Sequence, residues 1–224
     1  MKNKFINYIL SISFIIITLI STIFYCAFDR QFYSKQHLDN NIANIVGIKY
    51  DELIDVNDHL LNYLLYIEDD LQIDVNIDGD IVSYFNNKEL IHMQDVKELV
   101  RVFFIVDILL IIIFILLLVY QFIKNNIIGL IKAYNKSIIY SIVLFAIIIS
   151  IIAIDFNYFW NTIHPIFFNN DLWMLNPLVD RLLMMYPLNF FFNIVTKIII
   201  IFVIINCITY IVGKLIIKYR SNND

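Results

Sequence analysis

Long apolar runs alternate with shorter polar stretches along this chain. Four of them approach or exceed the ~20 residues that a helix needs to cross a hydrocarbon core. They cover about Phe5–Phe28, Val102–Ile123, Ile138–Ile154 and Ile194–Val212. Lipid offers no partner to backbone N–H and C=O groups, so each run is predicted to be an α-helix. The third is the shortest, and it carries no internal charge.

The pattern changes between the first and second runs. From Tyr50, the residues Leu53, Val56, Leu60, Leu61, Leu64 and Leu65 recur on one broad helical face. Asp51, Asp55, Asp58 and Asn62 fall largely opposite, and His59 lies on that polar, solvated side. This predicts an amphipathic helix. Next, Leu71, Ile73, Val75 and Ile77 alternate strictly up to Asp78-Gly79, with Ile81 beyond, which is the pattern of a β-hairpin with a two-residue turn. Asn86 followed three residues later by Glu89 marks a helix start. No Pro or Gly separates that start from the second apolar run. One continuous helix is expected, with His92 roughly 15 Å beyond the boundary near Val102 at ~1.5 Å rise per residue.

Composition and charge place these elements. The 224 residues are 60% hydrophobic and only 16% charged, with a mean hydropathy of +0.75. That excludes an ordinary soluble domain. With the N-terminus inside, Lys2, Lys4, Lys124, Lys132, Lys136, Lys214, Lys218 and Arg220 all fall on inner segments, where Asp224 is the only acid. This is the positive-inside pattern, and both termini are expected in the cytoplasm. The chain then divides into a first span (1–28), an extracytoplasmic cap (29–101), a second and third span with a short inner loop (102–154), an aromatic outer loop (155–193), and a fourth span with its tail (194–224). The inner loop, 124–137, contains Gly129 and apolar residues suited to the interface. Cys26 and Cys207 both sit in apolar runs and read as small core residues. Ile23-Phe24-Tyr25 lacks the small residues of a lipoprotein cleavage site, so the first run reads as a span.

The fold class is thus all-α membrane, with four transmembrane helices, an outer cap of amphipathic helix plus small hairpin, and an aromatic-rich second outer loop. Residues 156–192 hold eleven aromatics, both tryptophans, all three prolines and His164. Trp and Tyr collect at membrane interfaces anyway. The alternative is a proline-bent, aromatic-lined pocket open to the outer leaflet. Intramembrane Asp107 and Lys197 lie at similar depths, which suggests a salt bridge, with snorkelling of Lys197 as the other reading.

Two histidines carry the candidate chemistry. A pair of imidazoles, His92 and His164, suits a base and an acid in one reaction. Glu89 and His92 also have helical metal-site spacing, and with His164 they would make a three-ligand zinc site. A purely structural role in an accessory membrane protein is the third reading. The residues alone leave all three open.

The segment Asn87-Lys88-Glu89-Leu90-Ile91-His92-Met93-Gln94-Asp95-Val96-Lys97 resembles a Glu-x-x-His-Met-x-Asp-Val-Lys signature. The loop from His164-Pro165 through Asn169-Asn170-Asp171-Leu172-Trp173 to Asp180 and Pro187 resembles a second one. Both belong to the Firmicute integral membrane family that includes the lipoprotein intramolecular transacylase. The likeness covers nearly the whole chain, including the weaker stretch from Asp51-Glu52-Leu53 to Asn62-Tyr63-Leu64. It implies a membrane acyltransferase that moves the sn-2 acyl chain of a diacylglyceryl lipoprotein to the α-amine of its N-terminal cysteine, giving the lyso form. The partners implied are that diacylated lipoprotein and membrane lipid, without nucleic acid and with the oligomeric state left open. No cofactor is implied. Catalysis would fall to His92 and His164, with Asp95 or Glu89 orienting His92. Trp160, Phe168 and Trp173 would enclose the lipid, and Asn169 or Asn170 would donate to the oxyanion.

Overall fold

The computed structural model describes residues 2–77 and 79–222. The elements run α1 (Lys2–Ala27), α2 (Arg30–Asp39), α3 (Ile42–Val46), α4 (Tyr50–Leu64), β1 (Asp74–Ile77), β2 (Asp80–Ser83), α5 (Asn87–Ile123), α6 (Ile127–Ile154), α7 (Phe156–Phe167), α8 (Arg181–Met185) and α9 (Leu188–Ser221). Among the described residues, four helices are long and apolar enough to span a membrane: α1, α5, α6 and α9. Two compact units result. One comprises residues 1–25, 104–156 and 196–224, and the other residues 26–103 and 157–195.

The first unit has the inverted surface of a membrane protein. Apolar side chains such as Phe104, Leu116 and Ile139 are more than half exposed, while Ser11, Gln121 and Asn206 are buried. Lipid is as apolar as a leucine side chain, so helix association here relies on packing and internal hydrogen bonds. Ile15, Tyr134, Ile138 and Phe202 form its core. Tyr134 Oη donates to Asn206 Oδ1 at 3.0 Å, and Asn206 Nδ2 donates to the Phe202 carbonyl at 2.9 Å. The Asp107–Lys197 ion pair is not formed. Asp107 Oδ2 accepts from Ser21 Oγ at 3.0 Å, and Lys197 Nζ lies 5.9 Å from the Tyr25 ring centroid. Similar depth does not guarantee the same helix face. Helix α6 also begins eleven residues before the expected third span, so the loop expected over 124–137 shrinks to 124–126. A Cβ at Gly129 would meet the side-chain amides of Asn126 and Asn7, so glycine lets both amides lie against the first turn of α6 without shifting.

The second unit is built as a water-soluble domain is. On α4, Leu53, Val56, Leu60 and Leu61 are buried on the expected face, and Asp51 and Asp55 are exposed. His59, expected in solvent, is half-buried. Strands β1 and β2 pair antiparallel, with Asp74 opposite Ser83 and Ile77 opposite Asp80. The turn between them holds Gly79 at φ +98°, a left-handed conformation that glycine adopts without strain; its neighbour Asp78 lies outside the described residues. The sequence pattern did not suggest α2 and α3. Aspartate starts α2: Asp29 Oδ1 accepts from Gln31 N at 3.1 Å and Phe32 N at 3.3 Å.

Asn86 and Glu89 form the expected capping box at the start of α5. Asn86 Oδ1 accepts from Lys88 N and Glu89 N, and Glu89 Oε2 accepts from Asn86 N at 2.7 Å. From there α5 runs unbroken into the second apolar stretch, as the absence of Pro and Gly predicts.

Candidate active site

The two sequence-selected histidines come from different helices and meet at one cavity. His92 sits one turn into α5, and His164 lies in the last turn of α7. The aromatic segment expected as a bent loop opens with this helix, and its Pro165 is accommodated near the helix end. Both imidazoles line a cavity of about 240 Å³ in the second unit. Both also pack on Phe168, whose ring centroid lies 5.2 Å from that of His92 and 5.8 Å from that of His164. The other walls are mostly apolar: Leu60 and Leu64 of α4, Val96 of α5, and Phe190 and Phe191 of α9.

Hydrogen bonding distinguishes the two rings. His164 Nδ1 lies 2.7 Å from the Trp160 carbonyl oxygen. A carbonyl only accepts, so Nδ1 carries the proton and Nε2 keeps its lone pair. Trp160 and Trp173 hold this ring in place, at centroid distances of 4.4 Å and 4.8 Å, and the Trp173 contact is stacked. His92 Nδ1 is buried and has no hydrogen-bond partner among the described residues.

Burial also sets the electrostatics. It lowers His92 to about 4, helped by the nearby His164 and opposed by Asp95. It lowers His164 too, opposed by the bond to the Trp160 carbonyl. Both imidazoles are therefore neutral at pH 7. The mutual effect means that a proton on one ring disfavours a proton on the other.

Other sequence-selected residues stand elsewhere. Glu89 is not hydrogen-bonded to His92, because its second oxygen, Oε1, accepts from Leu182 N at 2.6 Å and completes the use of its carboxylate. Burial raises its carboxyl above the ordinary range, against the pull of these two N–H donors. Asp95 Oδ2 accepts from Asn170 Nδ2 at 2.8 Å, and its effect on His92 is that of a nearby charge. Asn170 Oδ1 accepts from Leu172 N at 3.0 Å, which commits that amide to shaping its own loop. Asn169 is exposed. Neither asparagine lines the cavity, whereas Trp160 and Phe168 do. With Glu89 engaged in this way, Glu89, His92 and His164 do not form a ligand set. No group of three or more His, Cys, Asp or Glu among the described residues is placed to hold a metal ion.

Sequence reasoning missed Tyr33 and Tyr186, which also line the cavity. Their rings meet edge to face at 5.7 Å, and Tyr186 Oη donates to Asn57 Oδ1 at 2.9 Å. Tyr33 lies on the unpredicted α2, so no periodicity pointed to it.

The chain matches the family model for the lipoprotein intramolecular transacylase Lit over residues 8–191. No curated protein matches it. Among solved structures it is similar to the membrane integral lipoprotein intramolecular transacylase Lit from Bacillus cereus, with a TM-score of 0.82 at 20% identity, covering 98% of each chain. A second structure of that protein, carrying a histidine-to-arginine mutation, gives a TM-score of 0.78 over 100% of this chain and 95% of that one. At such identity the likeness speaks for the fold: four long apolar helices, several short helices and a small hairpin. The family model adds the sequence, and since its match spans most of the chain, this chain belongs to the lipoprotein intramolecular transacylase (Lit) family.

Proposed function

We propose that this chain is an active transacylase of the cell membrane, with both termini in the cytoplasm and the histidine cavity on the extracytoplasmic face. Its substrate is a diacylglyceryl lipoprotein, whose sn-2 acyl chain moves to the α-amine of the N-terminal cysteine. The observation that carries this reading is the sharing of one apolar cavity by His92 and His164 around Phe168.

The reaction balances without a cofactor. The neutral amine attacks the ester carbonyl, forming a C–N bond and a tetrahedral oxyanion. His164 Nε2, with its lone pair available, takes the amine proton. The tetrahedral centre then expels the glycerol C2 oxygen, which receives that same proton. The products are an amide and a free hydroxyl. His92, neutral at this pH, stabilises the oxyanion by donating from a ring N–H. Positioned acid–base catalysis of this kind contributes about 10²–10⁴-fold. Donor and acceptor belong to one residue, so holding them together supplies much of the remainder, up to ~7–11 kcal/mol in favourable cases. Leu60, Leu64, Val96 and Phe168 keep water from the ester and so favour transfer over hydrolysis.

Expression in a strain that makes only diacylated lipoproteins tests the activity. Transfer within one molecule leaves intact mass unchanged, so tandem fragmentation must locate the acyl group. An N-acylated cysteine carrying a monoacylglyceryl thioether is expected. Fragments that retain both chains on glycerol would end the proposal.

The pH dependence follows from the lowered imidazoles. Each histidine is active when neutral; burial lowers His92 to about 4 and His164 below its ordinary value, so both are neutral at pH 7. The α-amine, with an ordinary value of roughly 7.7–8.0, must lose its proton to attack. The rate should therefore rise through the amine's ionisation, with no separate inflection near the ordinary histidine value. A pH–rate profile on a synthetic diacylglyceryl lipopeptide measures this. An inflection near the ordinary histidine value that disappears in a histidine variant would contradict it.

A further inference from the structure

A second site lies in the membrane unit, between the start of α1 and the start of α6. Here the helices border a cleft of about 540 Å³ lined by Lys4, Asn7, Tyr8, Asn126, Lys132 and Lys136. Among the described residues, no aspartate or glutamate lines it. All three ammonium groups are exposed, and none has an acidic partner among the described residues. Asn7, by contrast, is buried, and its Oδ1 accepts from Asn126 Nδ2 at 3.3 Å. Gly129 also lines the cleft, with the Asn7 side chain close beside it. Lys132 and Lys136 follow at helical spacing on the same face of α6, one turn and two turns beyond Gly129.

We propose that this cleft binds the phosphate headgroup of an anionic glycerophospholipid. Charge and polarity fit both parts of such a molecule. Three unpaired cations suit a phosphodiester, and the asparagine amides and Tyr8 hydroxyl suit the glycerol and ester oxygens. Immediately beside the lysines, Phe5 is 67% exposed, Ile139 55% and Tyr140 65%. These exposed apolar side chains offer acyl tails a surface, and a free phosphate has no use for it. Basic pockets between membrane helices hold anionic headgroups for the same reason, each cation near the surface contributing about a fivefold preference. The proposal is independent of the transacylase reading, since it uses no residue of the histidine cavity.

Native mass spectrometry of the full chain in detergent tests it, with phosphatidylglycerol, phosphatidylcholine and inorganic phosphate as the probes. The unaltered protein should retain phosphatidylglycerol over phosphatidylcholine and should not retain phosphate alone. The triple variant Lys4→Gln, Lys132→Gln, Lys136→Gln should lose that preference by about a hundredfold, at about fivefold per lysine. The matching Lys→Arg triple should keep it, which guards against simple misfolding. A control triple at Lys124, Lys214 and Lys218, also changed to Gln, should leave it intact. Equal loss in both Gln triples, equal retention of the two lipids, or retention of inorganic phosphate would each overturn the proposal.

Discussion

Replacing His164 with alanine should abolish formation of the lyso-form lipoprotein while the chain still accumulates in the membrane. The lone pair of this ring is fixed by geometry on Nε2, because its Nδ1–H is committed to the Trp160 carbonyl at 2.7 Å. Removing it takes away the proton acceptor and leaves an amine that must attack unaided. The loss expected from the acid–base term alone is about 10²–10⁴-fold. Membrane insertion depends on α1, α5, α6 and α9, none of which contains His164. His92→Ala should produce a similar loss, and the double variant should be little worse than either single one, since groups that act as a unit are not additive. Tandem mass spectrometry of the lipopeptides reads all three. Normal product from either single variant would remove that histidine from the mechanism.

The spans, the hairpin and the Asn86–Glu89 helix start could be read from the chain because each rests on a local rule. A continuous apolar run, a period of two and a capping box are all decided within a few residues of sequence. The same rules mark Leu60 and Leu64 as core, and the cavity uses both. What could not be read depends on the third dimension. Nothing near Glu89 in sequence announces Leu182, whose N–H occupies its second oxygen from 93 positions away. Asp95 and Asn170 are likewise 75 positions apart. Helical spacing alone put both carboxylates within reach of His92, and distant backbone and amide groups then claimed them. Depth misled in the same way at Asp107, where a serine of α1 is nearer than the lysine of α9.

These competing partners alter the division of labour in the site. A buried carboxylate that orients a catalytic histidine would raise the basicity of that ring. Here Glu89 is engaged by backbone N–H groups, and the Asp95 charge only opposes part of the lowering, so burial dominates both imidazoles. A weakly basic His92 is a poor proton acceptor, but its neutral N–H can still donate to an oxyanion. At His164 the bond to the Trp160 carbonyl opposes the lowering by burial and fixes the lone pair on Nε2. The asymmetry between the two rings arises from backbone and burial instead of a third acidic residue.

Glu89→Ala should therefore fail through the fold before it fails through the chemistry. Glu89 is buried, and its two oxygens accept from Asn86 N at the start of α5 and Leu182 N at the start of α8. Around it, Asn86 Nδ2 donates to Asp180 Oδ1 at 2.7 Å, and Arg181 donates to the Ser83 carbonyl at 2.8 Å, so hairpin, α5 and α8 meet at one point. Alanine strands two backbone N–H donors, at roughly 1–3 kcal/mol each. That is a large share of the ~5–15 kcal/mol that usually holds a domain. The second unit should melt at lower temperature, and product should fall sharply at growth temperature and recover partly on cooling. Glu89→Gln keeps one acceptor oxygen and should lie between alanine and the natural residue in both melting and product. Its pH–rate profile should match that of the unaltered protein, because the glutamate holds His92 in place without exchanging a proton. A direct catalytic or metal-binding role predicts the opposite pattern: the glutamine variant would melt normally and yet lose product at every temperature. Thermal melts in detergent, run beside lipopeptide fragmentation on the same preparations, separate the two.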